Sequence, residues 1–193
     1  MLPQDKPTLI LASASPRRQE LLREAGISFE VSPAHIHEER QPGESPLHYA
    51  LRLAREKAEA VAAKNPGRYV LGADTIVIVE DEVLEKPADP ADAARMLRRL
   101  SGRGHQVITA VSLVTPKRHK DTRTCTTQVF FRELEEEEIQ QYIATKEPMD
   151  KAGAYAIQGG AARWVTRMEG EYSNVVGLPV SLVTEMLRAN GFI

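Results

Sequence analysis

The stretch YVLGADTIVIV, residues 69–79, constrains the fold more than any other part of the chain. One face of a strand here carries Val70, Ile76 and Ile78, and the other carries Leu71, Ala73, Val77 and Val79. A strand that is apolar on both faces reads as a buried, central one. Into its middle the sequence inserts Asp74. An ionised carboxylate in that place needs a cationic partner or a metal. It is either a structural salt bridge or a functional carboxylate, and the small, polar neighbours Gly72 and Thr75 favour the second.

Strands and helices alternate along the rest of the chain. TLILAS reads as a short buried strand, followed by a helix over 15–26 that opens on Ser15-Pro16 and closes at Gly26. SFEVSPA alternates as a second strand, and HIHEERQPGES is a polar loop. SPLHYALRLAREKAEAVAAKN is a long helix with the same Ser-Pro start. The central strand turns at Glu80-Asp81-Glu82 into a short returning strand, and DPADAARMLRRLSG is a third helix. HQVITAVSLVTP and TRTCTTQVFFREL form two long strands joined across Lys117 to Lys120. EEEEIQQYIATKE is a helix whose acidic first turn suits the helix dipole. A short strand pair is expected around RWVTRMEGEYSNVV, and LPVSLVTEMLRAN makes the last helix. The order predicts a mixed α/β fold, and 193 residues suit one domain over 1–193, with room for two lobes.

Charge placement narrows the chemistry. Arg17 and Arg18 fall in the first turn of the opening helix, where the dipole already concentrates positive charge. They cost a few tenths of a kcal/mol each unless an anion is nearby. Lys57 shares with Leu53 and Val61 a stripe that should point at the core; taken alone, its long stem reads as snorkelling to water. Lys86 in LEKP and Lys151 in DKAGAY each read, taken alone, as surface lysines. Gln158, before paired glycines, either caps the loop backbone or offers an amide to the edge of a base. Glu38 follows His35 and His37 in a polar loop, where two histidines alone are weak evidence for a metal. Basic groups at a helix N-terminus plus one or two carboxylates suggest a polyphosphate substrate with a divalent ion. Neither the P-loop pattern GxxxxGKS/T nor the dinucleotide pattern GxGxxG is present.

Other classes are set aside by the totals. A net charge of −2 offers no global field for holding nucleic acid. No apolar run is long enough for a membrane span, and the first residues lack a signal-peptide pattern. Cys125 is the sole cysteine, which fits a reducing cytoplasm and reads as a small residue in a sheet.

Together the segments SASPRRQELL, REKA, LGADTIV, LEKP, LSGRGHQVITAV, PMDKAGAYAIQG and GEYSNVVGLP resemble the Maf family of nucleotide pyrophosphatases, in family order from about residue 9 to 180. The resemblance implies a mixed sheet with flanking helices and a central cleft, like the inosine triphosphate pyrophosphatases. It implies hydrolysis of a nucleoside triphosphate to the monophosphate and pyrophosphate with a divalent cation, magnesium or manganese. Asp74 matches the family's catalytic position and, with Glu38, its metal site. Arg17, Thr75 and Gln158 match the dTTP/UTP branch; Ser13, Arg18, Lys57 and Lys86 are expected to bind phosphate. His37 stands where the family more often has an acidic residue. The expected enzyme is a cytoplasmic dTTP/UTP pyrophosphatase, a hydrolase of acid anhydrides, with a homodimer implied by analogy. Its rivals are a 7-methyl-GTP pyrophosphatase and a nucleotide-binding cell-division regulator with incidental hydrolysis.

Overall fold

Helices α1 (Pro16–Glu24), α2 (Pro46–Lys64) and α3 (Pro90–Leu100) all begin on one device. The side chains of Ser15, Ser45 and Asp89 accept from the backbone N–H of Arg18, His48 and Asp92, and a proline follows each. Proline suits the first turn because its missing N–H would have no helical partner there. Helix α4 (Glu136–Ala144) starts on a capping box in which Glu135 and Glu138 satisfy each other's backbone N–H. A computed structural model describes residues 8–193, and no helix among them is long and apolar enough to cross a membrane.

The strands are β1 (Leu9–Leu11), β2 (Phe29–Val31), β3 (Tyr69–Val79), β4 (Glu82–Leu84), β5 (Gly104–Val114), β6 (Lys120–Phe131) and β7 (Val165–Glu169). They form one seven-stranded sheet in the order β2-β1-β3-β5-β6-β7, with β4 paired to β3. β1 runs parallel to β2 and β3, while β4 and β7 run antiparallel to β3 and β6. The sheet is therefore mixed, as the order of elements predicts. β3 is buried along both faces, at Val70, Ile76, Leu71, Ala73, Val77 and Val79.

The chain divides into two compact units. The first runs to Asp74 and takes in Ala110–Thr124 and Gly177–Ile193, which holds helix α6 (Val180–Ala189). The second comprises Thr75–Thr109 and Cys125–Val176. In the first unit Ile10, Ala12, Ala58, Val61, Ala62, Val70 and Val114 form a core cluster. Gly72 lets α2 press directly onto β3: a Cβ there would lie 2.5 Å from the Ala54 carbonyl oxygen and 2.7 Å from the Ala58 nitrogen. That approach sets the height of α2 above Asp74, two residues further along the strand.

The core of the second unit contains an aromatic cluster. His105, Phe131 and Tyr155 meet edge to face at centroid distances of 5.0, 5.4 and 4.9 Å. Trp164 packs the same way on Phe131 and on Tyr142 of α4.

One expectation is overturned here. The segment read as a strand pair contains a single strand, β7, followed by helix α5 (Tyr172–Val176). Gly170, with φ of 130°, ends the strand in a backbone conformation that other residues rarely adopt. The helical turn then buries Asn174, whose Nδ2 donates to the carbonyls of Val107 at 3.0 Å and Cys125 at 3.2 Å and to Thr127 Oγ1 at 3.0 Å. One buried amide bonded to two neighbouring strands here outweighs local β propensity.

Candidate active site

In the first unit α2 delivers Lys57 to Asp74. Leu53 and Val61, four residues to either side, are buried, so the lysine stem leaves the helix on its core-facing stripe. Its Nζ donates to Asp74 Oδ1 at 2.9 Å and pairs with Glu38 Oε1 at 3.1 Å. One ammonium thus gathers a buried carboxylate from β3 and a more exposed one from the loop after β2. The same helix steadies that loop through Arg52, which donates to the Glu39 carbonyl at 2.8 Å and to Glu44 at 2.7 Å. Arg52 also holds the Glu44 carboxyl down to about 2.

Burial pushes the Asp74 carboxyl above the ordinary carboxylate range, against the pull of Lys57 and Arg18, and Glu38 adds to the rise. Desolvation wins because Asp74 is only 7% exposed. The result is a carboxylate with more proton affinity than a free one, held at a fixed point among cations.

Arg17 and Arg18 have different surroundings. Arg18 donates through Nε to the Gly177 carbonyl at 2.8 Å, and through one terminal nitrogen to the Ala73 carbonyl at 3.1 Å and to Ser13 Oγ at 3.2 Å. Burial lowers its pKa, with the neighbouring Arg17 adding to the fall and Asp74 opposing it. Ser13 is buried, and its hydroxyl oxygen also accepts from the Ser15 N–H at 3.3 Å. Arg17 makes no hydrogen bond or ion pair among the described residues, and the first turn of α1 holds no acidic side chain. The electrostatic fault noted in the sequence therefore resolves into two parts. Arg18 is joined to backbone carbonyls, and Arg17 remains available.

Thr75, Lys86 and Gln158 belong to the second unit. Thr75 and Thr109 share a hydroxyl hydrogen bond of 2.9 Å on adjacent strands. Lys86 is exposed after β4, and the Glu85 carbonyl beside it accepts from the Gly153 N–H at 3.2 Å. That bond ties the LEKP loop to the segment carrying Gln158, which is itself exposed. Lys151 is engaged locally with the Glu147 carbonyl and Asp150. His37 lies 2.7 Å from Glu39 in an exposed pair, and no group of three or more His, Cys, Asp and Glu gathers among the described residues.

Residues that sequence reasoning passed over are the supports. His105, Tyr142, Tyr155 and Asn174 are buried polar or aromatic groups in the second unit. Only His105 carried a signal, as a histidine on a strand face shared with Val107, Thr109, Val111 and Leu113.

Comparison with known proteins agrees with the motif order. A family model described as Maf-like protein matches residues 8–190. A dTTP/UTP pyrophosphatase from Koribacter versatilis is 59% identical over 183 residues, covering 95% of this chain and 94% of its own. One from Geobacter sulfurreducens is 54% identical, covering 97% of this chain and 98% of its own. Among solved structures, a HAM1 protein from Coxiella burnetii is 14% identical with a TM-score of 0.47, over 95% of this chain and 99% of that one. Matched over nearly all its length by the family model and by relatives more than half identical to it, the chain belongs to the Maf family.

Proposed function

We propose that this protein hydrolyses dTTP and UTP to the nucleoside monophosphate and pyrophosphate. The observation that carries the reading is Asp74, a buried carboxylate of raised proton affinity, bonded to Lys57 and close to Arg18. The pyrophosphatase names of relatives at 59% and 54% identity support the choice of substrate.

Water attacks the α-phosphorus in line with the bond to the bridging oxygen of the β-phosphate. Asp74 accepts the water's proton as the new P–O bond forms, and the bridging oxygen leaves with pyrophosphate. Arg17, Lys57 and Lys86 hold the charge that gathers on the leaving group. Ser13 and Arg18, whose polar atoms already engage each other, support this phosphate-binding end. Gln158 pairs its amide with the O4 and N3–H edge common to uracil and thymine, an edge that cytosine presents with donor and acceptor reversed. Thr75 and Arg17 complete the set that separates pyrimidine from 7-methyl-guanine substrates.

The donor set fits a divalent ion. Asp74 and Glu38 converge on a single point, now held by the Lys57 ammonium, and hard cations take carboxylate and phosphate oxygens together. Magnesium or manganese bound there by Asp74 and Glu38 would supply positive charge to the phosphate oxygens.

The reading is tested by offering dTTP and 7-methyl-GTP to the purified protein in one magnesium-containing assay. Pyrophosphate should come from dTTP first; preferential loss of 7-methyl-GTP would reject the substrate assignment. Arg17→Ala separates binding from folding. Without nucleotide it should stabilise the protein by ~0.3–1 kcal/mol, since a cation leaves a helix N-terminus. With dTTP, kcat/KM should fall about tenfold to a hundredfold, the worth of one charge-assisted contact. A variant that melts lower and turns over normally would instead give Arg17 a structural role.

A further inference from the structure

Five consecutive residues, Gly153 to Ile157, are buried, and Gln158 directly after them is exposed. Gln158 sits in a turn closed by the Gly159 N–H donating to the Ala156 carbonyl at 3.1 Å. The turn is fastened to the rest of its unit on both flanks. At its first residue, the Ala156 N–H donates to the Tyr142 hydroxyl at 2.9 Å. One residue earlier, the Tyr155 hydroxyl lies 2.7 Å from His105 Nε2. Two residues after Gln158, the Gly160 N–H donates to Glu147 Oε2 at 3.1 Å. Upstream, Gly153 adopts φ of 74° against the Val77 side chain of β3, where a Cβ would lie 3.0 Å away.

Two features of these fastenings are poor choices for stability alone. His105 Nδ1 is buried without a partner among the described residues, where an apolar side chain would leave nothing unsatisfied. Tyr142 and Tyr155 bury hydroxyls in a cluster whose ring packing phenylalanine would keep. What the hydroxyls add is direction: that of Tyr142 holds the Ala156 N–H of the turn itself, and that of Tyr155 ties the side chain of the preceding residue to His105. An exposed amide reads a base edge only if its donor and acceptor stay aligned, and a side chain on an unfastened turn would lose that alignment.

We propose that Tyr142, Tyr155 and His105 are positioning residues for base selection, acting through the turn that presents Gln158. The inference rests on the reading of Gln158 as the group that recognises the pyrimidine edge. It assigns three buried residues, none of which touches substrate, a share in discriminating uracil from cytosine.

The test measures kcat/KM for UTP and for CTP in wild-type protein and in the variants Q158A, Y142F and Y155F, each first shown by thermal melting to be folded at the assay temperature. Q158A should abolish the preference for UTP. Y142F and Y155F should each lower the UTP/CTP ratio about threefold to tenfold, the worth of one hydrogen bond, mainly through a higher KM for UTP. If one tyrosine variant is unfolded, the other carries the test, because the two hydroxyls fasten adjacent residues independently. Loss of the ratio in Q158A with a wild-type ratio in both folded tyrosine variants overturns the positioning role and leaves the base reading standing. An equal fall for both substrates marks a merely structural role and also overturns it. A wild-type ratio in Q158A removes the base reading itself, and the positioning role with it.

Discussion

Replacing Asp74 with Asn should leave the protein folded and cut dTTP turnover by ~10²–10⁴-fold, the usual range for loss of a general base. The amide keeps the shape, and its oxygen can still accept from Lys57 Nζ as Oδ1 does at 2.9 Å. What disappears is the capacity to take a proton from water. The same substitution should raise the melting temperature at neutral pH. Burial raises the folded-state pKa of Asp74, so the unfolded chain releases this proton more readily and the ionised group destabilises the native state. The gain corresponds to about 2–4 °C for each kcal/mol relieved. It should vanish below the unfolded carboxylate value of about pH 4, where both states are protonated. Steady-state assays and melts at two pH values check both halves. Retention of about a third or more of wild-type turnover would sink the catalytic assignment.

Acid should act on the second unit through His105. Burial lowers its pKa from 6.5 to about 4, so it stays neutral in the fold while the unfolded chain takes up a proton. The histidine's contribution is present in full above pH 6.5 and is lost as pH falls toward about 4. A shift of that size corresponds to roughly 3 kcal/mol. Urea unfolding of wild type and His105→Gln at about pH 7.5 and pH 4.5 should show the wild type losing more stability than the variant. Equal losses would mean that His105 takes no part in the acid response.

The fold was legible in the sequence wherever a local pattern reports a local event. The Ser15, Ser45 and Asp89 starts and the two-sided apolar strand around Asp74 are of this kind. Lys57 was legible as an anomaly, and the Asp74 contact that resolves it follows from both residues facing the same core. Arg18 was not. Its carbonyl partners stand 55 and 159 positions away in the chain, and backbone oxygens leave no trace in a sequence pattern. From residues alone, two adjacent arginines at a helix start look equivalent; only the fold separates the engaged one from the available one. Asn174 misled for a related reason, since its three acceptors come from β5 and β6. The aromatic supports behind Gln158 were invisible because buried tyrosines look like any other core residues until their hydroxyl partners are known.

The Arg18 contacts also set an order of events in biosynthesis. This guanidinium spans Ser13, Ala73 and Gly177, and the unit around Asp74 is built from the chain up to that residue, Ala110–Thr124 and Gly177–Ile193. A ribosome has made Asp74 and both arginines long before it makes Gly177. Throughout that interval Arg18 has no Gly177 carbonyl to bond, and α6 is not yet there to cover the unit. Contacts so distant in sequence close late and slowly, because the loop entropy must be lost before they form. The unit around Asp74 is therefore completed only once the segment from Gly177 onward has been made.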